Sequence, residues 1–187
     1  DVRKVDPTFH RQQLSYWLDK GYIKHLAGGY YALPERPVNE PYLFMLSNRL
    51  YAPSYISLES ALAYHQVIPE TVLGVTSVSA QKTQRFTSPW GVFSYRSVQP
   101  HLMFGYQMAE AKEGIKFAMA GIEKTVLDYL YLNHHIRTPI DFEGLRWNKE
   151  LLQGMNSAVV NQYLERFNKQ ALVERVEKLM EYLNAGL

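Results

Sequence analysis

The composition of the chain excludes several classes of protein. Its 187 residues are 47% hydrophobic and 20% charged, so the chain can bury a core and is not disordered as a whole. It contains no cysteine, which excludes disulfide bonds, thiolate nucleophiles, iron–sulfur clusters and cysteine-ligated zinc. No apolar run approaches the ~20 residues that a membrane helix needs, and no basic-then-apolar leader begins the sequence. We therefore expect a cytoplasmic protein.

The small positive charge of the chain lies in its N-terminal segment. The whole sequence has 20 basic and 18 acidic side chains, a balance of +2. Residues 1–36 hold six basic and four acidic ones, so 6 − 4 = +2, and residues 37–187 are neutral with 14 of each. This excess is too small to demonstrate nucleic-acid binding, but it lies where the first elements predict such a site.

The first predicted elements are a helix and a β-hairpin. Residues 8–20 are expected to be helical because Leu14, Trp17 and Leu18 share one apolar face, and the opposite side is polar. Gly21 is expected to end the helix as a C-cap glycine. Two β-prone runs follow, residues 22–26 and 30–33, and the paired glycines between them are a hairpin signal.

A helix, a glycine and a hairpin in this order form the second half of a winged helix-turn-helix. The helix would enter the major groove of DNA and the hairpin would be the wing. The candidate DNA-binding residues are Thr8, Arg11, Gln12 and Tyr16 on the helix and Lys24 and His25 on the wing. Only seven residues precede Thr8, whereas a winged domain has two earlier helices. Either those helices have been removed, or the segment is a vestige, or it is a small helix-hairpin that packs on the rest of the protein.

A proline-punctuated linker follows the hairpin. Pro34, Pro37 and Pro41 lie within eight residues, which predicts a domain boundary with a partial winged helix in residues 1–36 and a second domain in residues 37–187. The second domain begins with a predicted helix over residues 42–50.

A second, short helix is predicted after Pro53. Ser57 is expected to cap it with its hydroxyl, and Glu59 would lie in the first turn, where the helix dipole favours an anion. Leu58, Ala61, Leu62 and His65 recur at helical spacing and predict the buried face, while Pro69 cannot continue the helix.

The pattern then changes to strands and ends in helices. Strands are predicted over residues 72–78, 84–87, 92–98, 101–108 and 115–119, with a turn over residues 88–91. A helix is predicted over residues 120–133 and an irregular stretch over residues 134–147. Two C-terminal helices follow, the second with an apolar stripe of Leu172, Val176, Leu179 and Leu183.

No motif in the sequence argues for catalysis. His134 and His135 are adjacent, but consecutive residues on a helix point about 100° apart and do not easily share one metal ion. Phosphate-binding loops, dinucleotide-binding motifs and nucleophile elbows are absent from the sequence. A carboxylate enzyme is a minor alternative, and it would need four acidic side chains to converge: Glu59, Glu70, Glu123 and Asp128.

Six segments between residues 21 and 128 together resemble one protein family. Residues 21–34, GYIKHLAGGYYALP, resemble the wing of the AbiEi-type antitoxins. Five further segments resemble the body of the same family: SLESALAYH at residues 57–65, IPE at 68–70, VTS at 75–77, FTSPWGVFSY at 86–95 and AMAGIEKTVLD at 118–128. The resemblance covers most of residues 20–130, and the last ~55 residues are similar only as a helical tail. It implies a type IV toxin–antitoxin role, in which a winged-helix domain represses its own operon and a C-terminal domain counters a nucleotidyltransferase-like toxin.

We therefore expect an α+β protein with a partial winged helix-turn-helix, a mixed α/β effector domain and a helical C-terminal tail. The expected function is a non-enzymatic, antitoxin-like transcriptional regulator with a role in abortive phage infection. Its expected partners are operator DNA, a cognate toxin and a second copy of the chain, and no cofactor is expected. The alternative is a protein-interaction module without DNA binding, which would use the 14 tyrosines or the C-terminal stripe.

Overall fold

A six-stranded mixed sheet with helices on both faces lies at the centre of the protein. The computed structural model describes residues 8–27, 29–34, 38–70 and 72–185, without the side chains of Arg11 and Glu113. Within those ranges the chain forms eight α-helices, a two-stranded sheet and the six-stranded sheet. The mixed α/β class expected from the sequence is confirmed at this level.

The helices are concentrated in the second half of the chain. Their bounds are α1 Arg11–Asp19, α2 Glu40–Leu50, α3 Leu58–Tyr64, α4 Ile122–Leu132, α5 Pro139–Gly144, α6 Lys149–Gln153, α7 Ser157–Phe167 and α8 Gln170–Asn184. Two short 3-10 turns are present at Pro100–Leu102 and Lys112–Gly114. None of the helices in the described ranges is both long enough and apolar enough to span a membrane.

The strands form a hairpin and one larger sheet. They are β1 Lys24–Ala27, β2 Tyr30–Ala32, β3 Ser54–Ile56, β4 Val75–Ser79, β5 Gln84–Ser88, β6 Gly91–Ser97, β7 Tyr106–Glu110 and β8 Lys116–Ala120. β1 and β2 pair as an antiparallel hairpin. The large sheet has the order β5-β6-β4-β3-β8-β7, with parallel pairs β4–β6 and β3–β8 and antiparallel pairs elsewhere.

Alternation along the strands builds a core on each face of the sheet. Tyr55 of β3 belongs to the cluster that includes α4, α7 and α8, whereas its neighbour Ile56 belongs to the cluster that includes the hairpin and α2. Successive side chains of a strand point to opposite faces, so one strand supplies both cores. The predicted stripe of α8 is buried in the first of these cores.

The start of α3 differs from the prediction. Ser57 is the N-cap residue, but its side chain makes no capping hydrogen bond. Thr76 of β4 takes that role: its Oγ1 accepts from the Ser60 amide at 2.9 Å and donates to the Ser57 carbonyl at 2.9 Å. The expectation that the Ser57 hydroxyl caps α3 was therefore wrong, because its hydroxyl is used elsewhere.

Four further predictions can be compared with the structure. Gly21 follows Lys20, the C-cap of α1, and has a φ of 72°, as expected of a glycine that ends a helix. The strand predicted over residues 101–108 is shorter, because Pro100–Leu102 is a 3-10 turn and β7 begins at Tyr106. The stretch predicted to be irregular contains α5, and three helices rather than two follow Trp147.

Candidate functional site

The predicted DNA-binding residues lie on α1, on the residues before it and on β1. Thr8, Gln12 and Tyr16 are exposed, and so are Lys24 and His25 at the start of β1. The side chain of Arg11 lies outside the described part of the structure. Gln12 and Tyr16 are four residues apart and therefore share one side of α1.

Exposed tyrosines accompany these polar residues. Tyr16 is 54% exposed and Tyr22 58% exposed, and their rings form an edge-to-face pair with centroids 6.5 Å apart. Lys20 places its ammonium 5.8 Å from the Tyr16 ring centroid. His25 and Tyr31 form a second edge-to-face pair at 5.3 Å across the hairpin. Surface aromatics next to cations are typical of binding surfaces, because rings give contact area and cations give charge attraction.

The hairpin is attached to the body of the protein by its inner side. Leu26 and Ala27 of β1 and Ala32 of β2 are buried in the same core cluster as Phe44 of α2 and Phe117 of β8. β1 also contacts the edge strand β5. The hairpin therefore packs on the large sheet and α2 rather than projecting freely.

An open groove of about 720 Å³ lies beside the hairpin. Tyr30 and Tyr31 of β2 form part of one wall, and Met45 and Arg49 of α2 form part of the other. Arg49 is exposed, so it adds a cation beside the hairpin tyrosines. The groove extends the candidate surface from the hairpin onto α2.

A fully buried polar cluster connects α4 to β3 and the start of α3. It consists of Tyr55, Ser57, Lys124 and Asp128, and all four are 0% exposed. Asp128 Oδ2 accepts hydrogen bonds from the Tyr55 hydroxyl at 2.8 Å and the Ser57 hydroxyl at 3.0 Å. The Lys124 ammonium forms an ion pair with Asp128 and donates to the Tyr55 hydroxyl at 2.9 Å.

Aromatic rings enclose the cation of this cluster. The Lys124 ammonium lies 4.8 Å from the ring centroids of both Phe104 and Phe167. Tyr106 of β7 stacks on Tyr55 with centroids 4.7 Å apart and an angle of 13° between the rings. The ammonium thus has hydrogen-bond acceptors on one side and ring faces on another, which offsets part of the cost of removing it from water.

Burial dominates the electrostatics of the cluster. Desolvation raises the pKa of Asp128, while the Lys124 charge and three hydrogen bonds oppose that rise. Desolvation lowers the pKa of Lys124, and the charge of Asp128 opposes that fall. The pKa of Tyr55 is raised well above its ordinary value by burial and then by the neighbouring carboxylate. The hydrogen bonds of the cluster connect α4 to β3 and to the start of α3, where the Ser57 hydroxyl donates to the Asp128 carboxylate.

Three of the four carboxylates weighed as an enzymatic cluster have separate partners. Glu70 forms an ion pair with Arg146 at 3.0 Å, Glu123 accepts from the Asn156 amide at 3.0 Å, and Asp128 belongs to the buried cluster. Among the described residues, no group of three histidine or acidic side chains could hold a metal ion. The rings of His134 and His135 lie with centroids 6.5 Å apart. The four carboxylates therefore do not converge on one site, as the enzymatic alternative would require.

The buried cluster is not apparent from the sequence alone. Its one local signal is the spacing of Lys124 and Asp128, four residues apart on a helix, which is common on exposed helix faces as well. Tyr55 and Ser57 lie about seventy residues earlier in the chain, so their pairing with Asp128 arises only from the fold.

No protein-family model and no curated protein matches the chain.

Proposed function

We propose that this protein is an antitoxin-like transcriptional regulator that represses its own operon through α1 and the β1–β2 hairpin and counteracts a nucleotidyltransferase-like toxin. The observation that carries the DNA-binding half is the exposure of Gln12 and Tyr16 on α1 and of Lys24 and His25 on β1. The antitoxin half rests on the resemblance of residues 20–130 to the AbiEi-type family. In this proposal the protein acts by binding and makes or breaks no covalent bond.

The proposed binding mode assigns a different task to each element. α1 would enter the major groove as the recognition helix of a partial winged helix, with Arg11, Gln12 and Tyr16 of the helix and Thr8 from the residues before it toward the bases and backbone. The side-chain amide of Gln12 can hydrogen-bond base edges. Lys24 and His25 of the hairpin would meet phosphate groups, which position the protein without reading sequence. The attachment of the hairpin to α2 would hold the wing in a fixed orientation.

The DNA-binding half can be tested with duplex DNA from immediately upstream of the protein's own gene. We expect the Arg11→Ala/Lys24→Ala double variant to bind this DNA more weakly than the unchanged protein. Each lost phosphate contact should reduce the slope of log K against log salt by about 0.9, so two lost contacts should reduce it by about 1.8.

A charge-matched control separates surface contacts from net charge. The Lys169→Ala/Lys178→Ala variant removes two exposed cations from the region of α8 and should leave the slope unchanged. Equal loss in both double variants would attribute the effect to net charge alone. Absence of binding by the full-length protein at low salt would remove the DNA-binding half of the proposal.

The second candidate function is a protein-interaction module that does not bind DNA. It is favoured by the burial of Leu26, Ala27 and Ala32, which gives the hairpin a structural role in the core. A groove of about 410 Å³ between α7 and α8 also offers an apolar floor, with Glu177 and Glu181 among its lining residues. The apolar stripe of α8 weighed for this role is itself buried, so the groove rather than the stripe would bind a partner.

Co-expression with the product of the neighbouring gene tests the antitoxin half. We expect that product to arrest growth when expressed alone and to be tolerated together with this protein. If growth stays arrested in the presence of this protein, the antitoxin half fails. A physical complex with that product, combined with no DNA binding, would favour the interaction module.

A further inference from the structure

β7 is an edge strand of the large sheet that no other described strand covers. It pairs with β8 on one side and lies at the end of the strand order, whereas β5 at the other end contacts β1. Met108 at the centre of β7 is 64% exposed, and Tyr106 is 39% exposed. The strand contains no proline or lysine, two residues that commonly protect an edge from pairing.

The hydrogen bonds that flank β7 reveal which of its backbone groups point outward. Gly121 donates to the Gly105 carbonyl at 3.0 Å, and Ala111 donates to the Ile115 carbonyl at 2.9 Å. The pairs Gly105–Gly121 and Ala111–Ile115 continue the β7–β8 register by one residue at each end. In an antiparallel ladder, hydrogen-bonded pairs alternate with non-bonded pairs, so residues 105, 107, 109 and 111 face β8. The amides and carbonyls of Tyr106, Met108 and Glu110 therefore point away from the sheet.

This pattern is self-complementary about Met108. If a second copy of β7 lies antiparallel to the first, Met108 faces Met108 of the second copy, and each Tyr106 faces the other copy's Glu110. All three facing pairs are of the hydrogen-bonded type, and each exchanges two bonds, so the contact would form about six hydrogen bonds. The two exposed methionine side chains would meet at the centre on one face of the combined sheet.

The charges of β7 favour the antiparallel arrangement. Glu110 is the only charged residue of the strand, and it pairs with Lys116 of its own chain at 3.3 Å. In the antiparallel pair, the two Glu110 residues lie four positions apart along the strands, or about 14 Å, which exceeds the screening length of about 8–10 Å. A parallel, in-register pair would place the two carboxylates side by side, and like charges at such positions are unfavourable.

We propose that two copies of this chain associate through antiparallel pairing of their β7 strands, which joins their sheets into one twelve-stranded sheet. The interface is isologous, because the same surface is used by both copies. The inference concerns β7 and β8 alone and does not depend on the proposed DNA-binding or antitoxin function.

Sedimentation velocity over a range from low micromolar to near-millimolar concentration tests the pairing. We expect the unchanged protein to shift from monomer to dimer as its concentration rises. The Met108→Pro variant should stay monomeric, because proline removes the outward amide at the centre of the contact. It does not remove a donor from the β7–β8 ladder, and edge strands tolerate proline where the amide faces outward.

A charge exchange at the same position provides a test that does not depend on proline. Met108→Lys and Met108→Glu each place like charges opposite each other and should each be monomeric. An equimolar mixture of the two variants should form dimers again, because lysine then faces glutamate. Circular dichroism of each variant should match that of the unchanged protein, which shows that the fold is kept.

Two results would overturn the proposal. One is a monomer at every concentration of the unchanged protein, which would mean that the edge does not pair with a second copy. The other is a dimer that persists in Met108→Pro and in both charge variants, which would place the contact elsewhere on the surface. Loss of the dimer in all three variants, with recovery in the mixture, supports it.

Discussion

The buried ion pair between α4 residues Lys124 and Asp128 provides the sharpest test of how the fold is stabilised. Replacing Lys124 by Met keeps a long, flexible side chain beside the rings of Phe104 and Phe167 but removes the charge. Asp128 then remains 0% exposed, with the hydroxyls of Tyr55 and Ser57 as its hydrogen-bond donors. The variant therefore leaves a buried carboxylate without its counter-charge.

Removing one partner of a buried ion pair costs about 3–5 kcal/mol. Typical domains unfold with a free energy of about 5–15 kcal/mol, so this loss is a large fraction of the total. For a chain of this size, each kcal/mol corresponds to about 2–4 °C in the melting temperature, so we expect Lys124→Met to melt about 6–20 °C lower.

The pH dependence of this loss follows from the direction of the pKa shift. Burial raises the pKa of Asp128 above its ordinary value near 3.8, and the charge of Lys124 works against that rise. In Lys124→Met the opposing charge is absent, so the folded-state pKa of Asp128 rises further. A carboxyl group with a raised folded-state pKa binds more protons in the folded state, so stability falls as pH rises above the unfolded-state value. The loss of unfolding free energy in Lys124→Met, relative to the unchanged protein, should therefore be smaller near pH 4 than at pH 7.

Urea unfolding followed by circular dichroism measures these free energies at both pH values. The double variant Lys124→Met/Asp128→Leu serves as the control, since it removes both charges. Replacement of a buried ion pair by apolar residues is often neutral or stabilising, so the double variant should lose much less than Lys124→Met alone. The reasoning fails if Lys124→Met costs less than about 1 kcal/mol at pH 7, which is the range of exposed ion pairs. It also fails if the loss in the double variant equals the sum of the losses measured in Lys124→Met and in Asp128→Leu alone.

Two further predictions concern local devices of the fold, and both use unfolding free energy as the measurement. Thr76→Val should destabilise the protein by about 1–2 kcal/mol, because it leaves the Ser60 amide at the start of α3 without its acceptor. Thr87→Val is the control, because Thr87 lies exposed on β5 and its replacement should change stability little. Equal losses in the two variants would disprove the capping role of Thr76. Gly105→Ala and Gly114→Ala both replace a glycine with a φ of 70°, but only at Gly105 would the new Cβ lie 3.0 Å from Lys124 and Tyr163. We expect Gly114→Ala to cost about 1 kcal/mol from backbone strain, and Gly105→Ala to cost about 1–3 kcal/mol more from crowding. Equal losses would mean that the neighbours of Gly105 move aside.

Local sequence patterns predicted the elements that are determined locally. The apolar face of residues 8–20 corresponds to α1, with Leu14, Trp17 and Leu18 half-buried, and the two β-prone runs correspond to the paired strands β1 and β2. Helical spacing also identified the buried stripe of α8. These features depend on periodicity and on glycine geometry within a few residues, which a single sequence contains.

The features that the sequence did not predict depend on contacts between distant residues. Ser57 has the residue type and position of an N-cap, but its hydroxyl donates to Asp128, which is 71 positions away. Its place at the start of α3 is taken by Thr76 from β4. Nothing near Ser57 in the sequence distinguishes these two arrangements, because the residues that decide between them, Thr76 and Asp128, lie far from it in the chain. The same limit applies to the buried cluster, whose members come from β3, α3 and α4.

The hairpin of the proposed DNA-binding surface and the proposed dimer contact lie at opposite ends of the large sheet, which makes their tests independent. The hairpin contacts β5 at one end, and the proposed dimer contact uses β7 at the other. Five inter-strand spacings of about 4.8 Å separate these edges by about 24 Å, more than twice the screening length of about 8–10 Å at ordinary ionic strength. A charge introduced at Met108 therefore changes little in the field at Lys24, and the loss of Lys24 changes little at β7. A variant that loses both activities would have lost the fold that connects them, and unfolding measurements would reveal that directly.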